Sequence, residues 1–221
     1  MRVNTRNRFA VISIPLWLHR ICCSPMRTST IDERFSDFLE DPTADRLVAI
    51  REMVTRRVDY QPHVGRSVDS SDSGAWTSLS SAFDREDFST VLELAASLSK
   101  PFCLCPRYHM MIGVAALELG DLPRAKHARR AYQACLDGLF ETGEGTFAAP
   151  YLISYPSDAH EMLAELGVQA CRQMLVEAGD ARFDVLVDAD GEEYWFDATA
   201  MLAAANRRQS AAAVDTELRH V

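Results

Sequence analysis

The chain has 221 residues, of which 48% are hydrophobic and 25% are charged, and it carries a formal net charge of −9. This balance excludes an intrinsically disordered chain and provides for one sizeable hydrophobic core or two small ones. Because phosphate binding requires a basic surface, the negative charge argues against nucleic acid as the main partner. The six cysteines have no regular spacing, and a chain of this length does not need disulfides, so we expect reduced thiols in the cytoplasm.

Residues 1–29 are set apart by a basic and apolar composition. No acidic residue precedes Asp32, and the apolar run at residues 9–18 is too short to cross a bilayer. A charged start before an apolar centre is typical of an export signal, which would make this an exported protein. Pro15 interrupts the run and no A-x-A-like cleavage site follows it, so translation from Met26 is the alternative. We expect a disordered or targeting segment here.

Residues 30–141 have the periodicity of amphipathic helices. Apolar positions in steps of three and four predict helices over residues 31–39 and 44–58, separated by Asp41-Pro42-Thr43. The serine- and glycine-rich residues 60–74 predict a flexible linker. Residues 75–98 predict a second helical pair, with its turn at residues 84–87.

The stretch at residues 107–140 has the most distinct helical pattern in the chain. Its first apolar stripe ends at Leu119 and its second begins at Leu122. Gly120 can close the first helix, and the carboxylate of Asp121 can cap the next one. Two amphipathic helices joined by so short a turn must fold back on each other as a hairpin. Small residues lie where these helices would approach, at Gly113, Ala116 and Ala125.

This hairpin resembles a unit of the tetratricopeptide repeat, in which a Gly-Asp turn and small residues at the helix crossing are typical. Asp87 lies 34 residues before Asp121, which is the period of that repeat, and Ala82 and Ala116 match at the same offset. Tyr132 departs from the pattern, because the repeat usually has a small residue there. An array of two units is short, so we expect the C-terminal sheet to cap it and to cover the face that the second unit would otherwise expose.

The last third of the chain changes to patterns typical of strands. We predict strands at residues 149–155, 172–177, 182–188 and 192–197, and a short helix at residues 156–166. Asp188-Ala-Asp-Gly191 predicts the hairpin turn between the last two strands. Residues 200–221 predict a helix that frays into a tail. The expected fold is α+β: tetratricopeptide-like helical hairpins at 30–141, packed on a small, mainly antiparallel sheet with one helix at 142–199.

A set of positions in this last third also matches a known family pattern. These positions are Gly143, Gly145, Leu166, Gly167, Gln173, Leu175, Phe183, Asp184, Val185, Leu186, Asp190, Gly191, Tyr194, Phe196 and Asp197. They resemble the C-terminal part of an uncharacterised bacterial domain-of-unknown-function family. In that family a glycine-rich lead enters a strand, a helix ends in Leu-Gly, and a hairpin with a Tyr-Phe-Asp arm closes the segment. The resemblance extends over residues 30–199 and implies the fold, but it implies no chemistry.

Cys103-Leu-Cys105 and His109 are the first candidates for chemistry. A zinc site needs four nitrogen or sulfur ligands, usually supplied as two closely spaced pairs. Cys135, His127 or Cys171 would complete such a site. No second pair has the required spacing, and the simpler interpretation is that these cysteines are small apolar core residues.

Two further motifs are incomplete. His160-Glu161 lacks the second histidine of a zincin motif, because Ala164 stands in its place. Asp188-Ala-Asp-Gly191 resembles the start of a calcium loop, but the remaining ligands are out of register and a hairpin turn explains the same residues.

Asp184 and Asp197 lie on facing strands and would form a carboxylate pair suited to acid–base work. The alternation of the strands instead predicts that both face solvent. From the sequence we therefore assign no catalytic, cofactor-binding or metal-binding residue, and we expect no cofactor.

The function expected from these patterns is a non-enzymatic protein-binding or scaffold module. Stacked helical hairpins present a groove for a protein or peptide partner, here unknown, and the acidic balance favours a basic or neutral one. We expect no membrane span. The alternative is an enzyme, or a metal or thiol protein, with its site at the helix–sheet junction. That site would be built around Cys103, Cys105, His109 and Cys135.

Overall fold

The computed structural model describes residues 29–60, 62 and 74–207. The helices are α1 (Ile31–Glu40), α2 (Ala44–Thr55), α3 (Ala75–Asp84), α4 (Phe88–Leu98), α5 (Pro106–Glu118), α6 (Leu122–Phe140), α7 (Pro156–Glu165) and α8 (199–207). The strands are β1 (Tyr151–Leu152), β2 (Ala170–Ala178), β3 (Ala181–Asp188) and β4 (Glu193–Asp197). The predicted α+β class is confirmed. Almost all of the segment 1–29, most of the linker 60–74, and residues 208–221 lie outside the described residues.

The hairpins α3–α4 and α5–α6 have turns of the same geometry, 34 residues apart. Asp87 caps α4 and Asp121 caps α6, each by accepting a hydrogen bond from a backbone N–H in the first turn of its helix. The backbone N–H of Asp87 donates to the carbonyl oxygen of Ala82 at 2.9 Å, and that of Asp121 donates to Ala116 at 2.8 Å. The spacing seen in the sequence therefore corresponds to a repeated backbone structure.

Two leucines beside the second turn are exposed, although the sequence predicted that they face inward. Gly120 adopts a positive φ of 75° that closes α5, and Glu86 has a φ of 58° at the matching position of the first turn. Leu119 and Leu122 flank Gly120 and were assigned to the inward stripes, but they are 52% and 63% exposed. The 3.6-residue period does not continue across a turn, so apolar residues at its two ends need not share the buried face.

One close helix contact fixes how α6 packs on the N-terminal helices. A Cβ at Gly138 would come within 2.7 Å of the Phe38 ring and 2.9 Å of Leu47 Cδ1. The glycine therefore lets α6 approach both α1 and α2 more closely than a side chain would allow. Phe38 and Leu47 are fully buried in the main core, which extends from these helices to the sheet.

The sheet has the strand order β1-β4-β3-β2. β1 pairs with β4 in parallel, and the other pairs are antiparallel, so the sheet is mixed. The strand predicted at residues 149–155 has only two paired residues. The backbone N–H groups of Ser154 and Tyr155 donate instead to the carboxylate of Asp158 in α7, both at 2.9 Å, and this turns the chain into the helix.

The two faces of the sheet both carry apolar residues. Leu186 and Phe196 point to the main core, whereas Phe183 and Val185 form a smaller cluster on the other face. The ring of Phe147, from the segment before β1, lies 5.7 Å from that of Phe183 and partly covers this second face.

This arrangement corrects the prediction that Asp184 and Asp197 both face solvent, and it also rules out the alternative that they form a carboxylate pair. Asp184 stands opposite Phe196 and Asp197 opposite Phe183, so the two carboxylates lie on opposite faces of the sheet. Asp184 is only 7% exposed, and burial raises its pKa. Gln173 Nε2 donates to both of its carboxylate oxygens, at 2.9 and 2.8 Å. The prediction was wrong for Asp184 because both faces of β3 are covered, whereas Asp197, at the end of β4, is half-buried.

Candidate functional site

The structure brings together three of the residues singled out for chemistry. His109 Nε2 donates a hydrogen bond to the carbonyl oxygen of Cys103 at 2.7 Å, and the thiol of Cys135 donates to the same oxygen at 3.6 Å. All three residues are buried. They converge on a backbone carbonyl rather than on one another's donor atoms, so the cluster satisfies a polar group inside the core.

Burial keeps these groups in their neutral forms. It raises the pKa of Cys103 to about 12 and raises the pKa of Cys105 and Cys135 as well. It lowers the pKa of His109 to about 4. Because a reactive cysteine requires a thiolate, none of these thiols is activated at neutral pH.

A cavity of about 350 Å³ lies between α1, α4, α5 and α6. Cys103, His109 and His127 line it, but no three histidine, cysteine, aspartate or glutamate residues in the described ranges are grouped to hold a metal ion. Phe35 of α1 stacks on the His109 ring, with centroids 5.7 Å apart and planes 7° apart. The inner side of the helical layer is thus partly filled by the chain's own first helix. Cys171, the last candidate ligand, is exposed on β2.

A smaller cavity of about 300 Å³ lies where α7 meets the helices. Arg107 and Cys105 line it, but the charge of Arg107 is paired, because its Nε lies 2.8 Å from Glu161 Oε1. Tyr132 donates to the other oxygen of Glu161 at 3.3 Å. Glu161 therefore connects α7 to both α5 and α6. This is a structural role for Glu161 of the His160-Glu161 motif.

Asp158, in the first turn of α7, is a fully buried carboxylate. Its Oδ1 has no hydrogen-bond partner among the described residues, and neither has the hydroxyl of the buried Ser154. Burial raises the pKa of Asp158 to about 7, against the lowering effects of two backbone N–H donors and of Arg51. Tyr60 donates to the carbonyl oxygen of Ser154 and closes the network. This carboxylate lines none of the cavities described and shapes the start of α7.

The remaining candidate is an apolar groove on the outer side of the α5–α6 hairpin, with a volume of about 440 Å³. We call it the hairpin groove. Its apolar lining consists mainly of Met110, Val114, Leu117, Leu122, Ala125 and Tyr132. Val114, Leu117 and Leu122 are 36%, 57% and 63% exposed. Lys126 and Arg129 of α6 lie along its rim.

The part of the chain that the structure describes leaves most of the hairpin groove uncovered. α7 packs on α5 and α6, and through Glu161 it reaches Tyr132 at one end of the groove. Val114, Leu117 and Leu122 stay exposed, so among the described residues no segment covers this part of the second hairpin. The expectation that the sheet covers the face of the second hairpin is therefore not met at these three residues.

A signal for the groove was present in the sequence. α5 carries a buried stripe at Tyr108 and Met111, and a second apolar stripe at Met110, Val114 and Leu117. The second stripe also follows steps of four and three residues, so α5 is apolar on two sides. A helix with two apolar sides needs a partner on each.

Among the helices in the described ranges, none is long and apolar enough to cross a membrane. Comparison with protein-family models, with curated proteins and with solved structures found no match for this chain.

Proposed function

We propose that this protein is a non-enzymatic protein-binding module and that the hairpin groove is its binding surface. The observation that carries the proposal is the exposed apolar stripe of Val114, Leu117 and Leu122 on two well-formed helices. Contiguous apolar surface of this kind marks interaction sites in soluble proteins. A groove between two helices fits an added helix, which would place its own apolar side between α5 and α6.

The repeated turns support a tetratricopeptide-like assignment for α3–α6. In such arrays each hairpin packs on the next, and the outer face of the last hairpin is where a further unit would pack. The hairpin groove occupies that position, since it lies on α5 and α6, the second hairpin of the pair. The proposal also retains the resemblance to a bacterial domain-of-unknown-function family. The free thiols of the four described cysteines are in keeping with a cytoplasmic protein.

The enzyme, metal or thiol alternative at the helix–sheet junction has less support. Burial raises the pKa of Cys103, Cys105 and Cys135, so the residues that suggested it are held in unreactive forms. The sequence favoured a basic or neutral ligand. The α6 rim of the groove carries the basic residues Lys126 and Arg129, which disfavours a basic ligand there.

A comparative capture experiment tests the proposal. The full-length wild-type chain, Leu117→Asp and Leu175→Asp would each be immobilised and exposed to lysate of the native host. Leu175 is the matched control, because it is a leucine 59% exposed on β2, outside the groove. We expect a stoichiometric partner on wild type and on Leu175→Asp that is absent from Leu117→Asp. Identical captured proteins on all three chains would contradict the groove as the binding surface.

A further inference from the structure

The surface around the hairpin groove has opposite charges on its two sides. Its rim on α6 is basic, with Lys126 and Arg129. On the α5 side the surface is acidic: Glu118 of α5, with Asp84 and Glu86 at the α3–α4 turn, lines a cavity that adjoins the groove. None of these five side chains forms an ion pair with another described residue. The face is therefore apolar in the middle, basic on one side and acidic on the other.

We propose that the occupant of the hairpin groove is a second copy of this chain. The two copies are related by a two-fold axis that runs parallel to α5 and α6, between the two faces. This inference rests on the proposed function, because it names the partner of the same surface. A two-fold interface requires a surface that complements itself, and a face with an acidic and a basic side meets that requirement.

This rotation places the acidic side of one copy over the basic side of the other. A two-fold axis parallel to the helices exchanges left and right, so α5 of one copy lies over α6 of the other. Glu118 then faces the partner's Lys126, and the same contact occurs twice. Glu118 lies two residues before Gly120 and Lys126 five residues after Asp121. The two therefore differ by about 5 Å along the helix axis, which a lysine side chain can span.

The other two-fold arrangement of these faces is disfavoured. An axis across the helices would lay α6 over α6 and bring Lys126 and Arg129 of both copies together. Like charges across an interface oppose association. In the parallel arrangement the exposed side chains of Leu117 and Leu122 meet at the centre, where burial of apolar surface stabilises the dimer. The face is small, so we expect association in the micromolar range.

Sedimentation equilibrium of the full-length chain, from low-micromolar to near-millimolar concentration, tests this inference. We expect a reversible dimer for wild type and for the control Leu175→Asp, and a monomer for Leu117→Asp. Lys126→Glu and Glu118→Lys should each weaken the dimer about tenfold, and the double variant should regain most of that loss. Circular dichroism of each variant confirms that these exposed positions have not altered the fold.

Each other outcome overturns a stated part of the inference. A wild-type chain that stays monomeric, or a dimer that survives Leu117→Asp, rules out the second copy as the occupant. A double charge variant no tighter than the single ones rules out the proposed axis. A monomeric chain that still captures another protein through the groove overturns the dimer and leaves the proposed function intact. A monomeric chain that captures nothing through the groove overturns both.

Discussion

The two sides of the α5–α6 hairpin differ in what the sequence led us to expect of them. The inner side holds Cys103, His109 and Cys135, whose residue types suggested a metal or thiol site, but these side chains are buried and held in their neutral forms. The outer side holds common apolar residues such as Leu117 and Leu122, whose side chains are exposed. Cysteine and histidine side chains whose polar atoms are hydrogen-bonded inside a core say less about function than common apolar residues that remain exposed.

The reactivity of the thiols gives the largest contrast on the inner side. In a full-length chain carrying Cys22→Ser and Cys23→Ser, we expect Ellman's reagent at pH 8 to modify Cys171 rapidly. The three buried thiols should react more slowly than Cys171 by a factor of roughly a thousand or more, because they become accessible only when the fold opens. Mass mapping after partial modification identifies the sites. If Cys103, Cys105 or Cys135 were modified as fast as Cys171, that thiol would be accessible, which would contradict its burial on the inner side.

The pH dependence of stability tests whether His109 is neutral in the core. Its pKa is lowered from 6.5 to about 4, so between these values the unfolded chain binds more protons and stability rises with pH. The contribution is up to about 3 kcal/mol. The pKa of Asp158 is raised from 3.8 to about 7, so its contribution falls as pH rises across that range.

Two variants separate these opposing pH dependences of the free energy of unfolding. Urea unfolding at pH 4.5 and pH 6.5 should show that His109→Gln becomes less stable as pH rises, since the slope from Asp158 remains. Asp158→Asn should become more stable over the same interval, since the slope from His109 remains. If both variants show the same pH dependence of stability, the neutral state of the buried His109 is contradicted.

A matched pair of glycine substitutions compares the packing of the two sides. Gly138→Ala on the inner side should lower the free energy of unfolding by about 1–3 kcal/mol, because its Cβ would collide with Phe38. At Gly113, in the groove, a Cβ would lie 3.6 Å from that of Ala128, which is an ordinary contact. Gly113→Ala should therefore raise stability by up to about 1 kcal/mol through helix propensity. Chemical denaturation measures both, and a loss of equal size at both positions would contradict the difference in packing.

The smallest effect is expected on the outer side itself. At concentrations too low for association, Leu117→Asp should change the free energy of unfolding by no more than about 0.5 kcal/mol, because the side chain contributes little to the monomer core. Leu136→Ala, at a fully buried position of α6, should cost about 2–5 kcal/mol in the same assay. A comparable loss at Leu117 would show that this leucine belongs to the core.

Local signals made much of the fold predictable from the sequence. The cap at Asp121, the positive φ at Gly120 and the hairpin turn after Asp188 each depend on residues close in the chain. The short β1 was over-extended in the prediction, because its pairing depends on β4 and its end is drawn away by Asp158. The pairing with β4 depends on a distant part of the chain, whereas the contact with Asp158 is local and its signal was missed.

The candidate site was predictable only in part. The steps from Met110 to Val114 and Leu117 marked a second apolar side of α5. Whether that side is covered depends on which other elements pack on it, and the pattern of α5 alone does not encode this. The burial of Asp184 was missed for the same reason, since it depends on which elements cover each face of the sheet.

Site-specific photo-crosslinking in the native host tests the central claim most directly. A benzophenone amino acid would replace Leu117 in the groove or, as the control, Leu175 on β2. We predict a discrete adduct on irradiation from position 117 and none from position 175; an adduct of twice the chain mass identifies a second copy, and any other mass identifies a different protein. No adduct from position 117, or the same adducts from both positions, would contradict the assignment of the hairpin groove as the interaction surface.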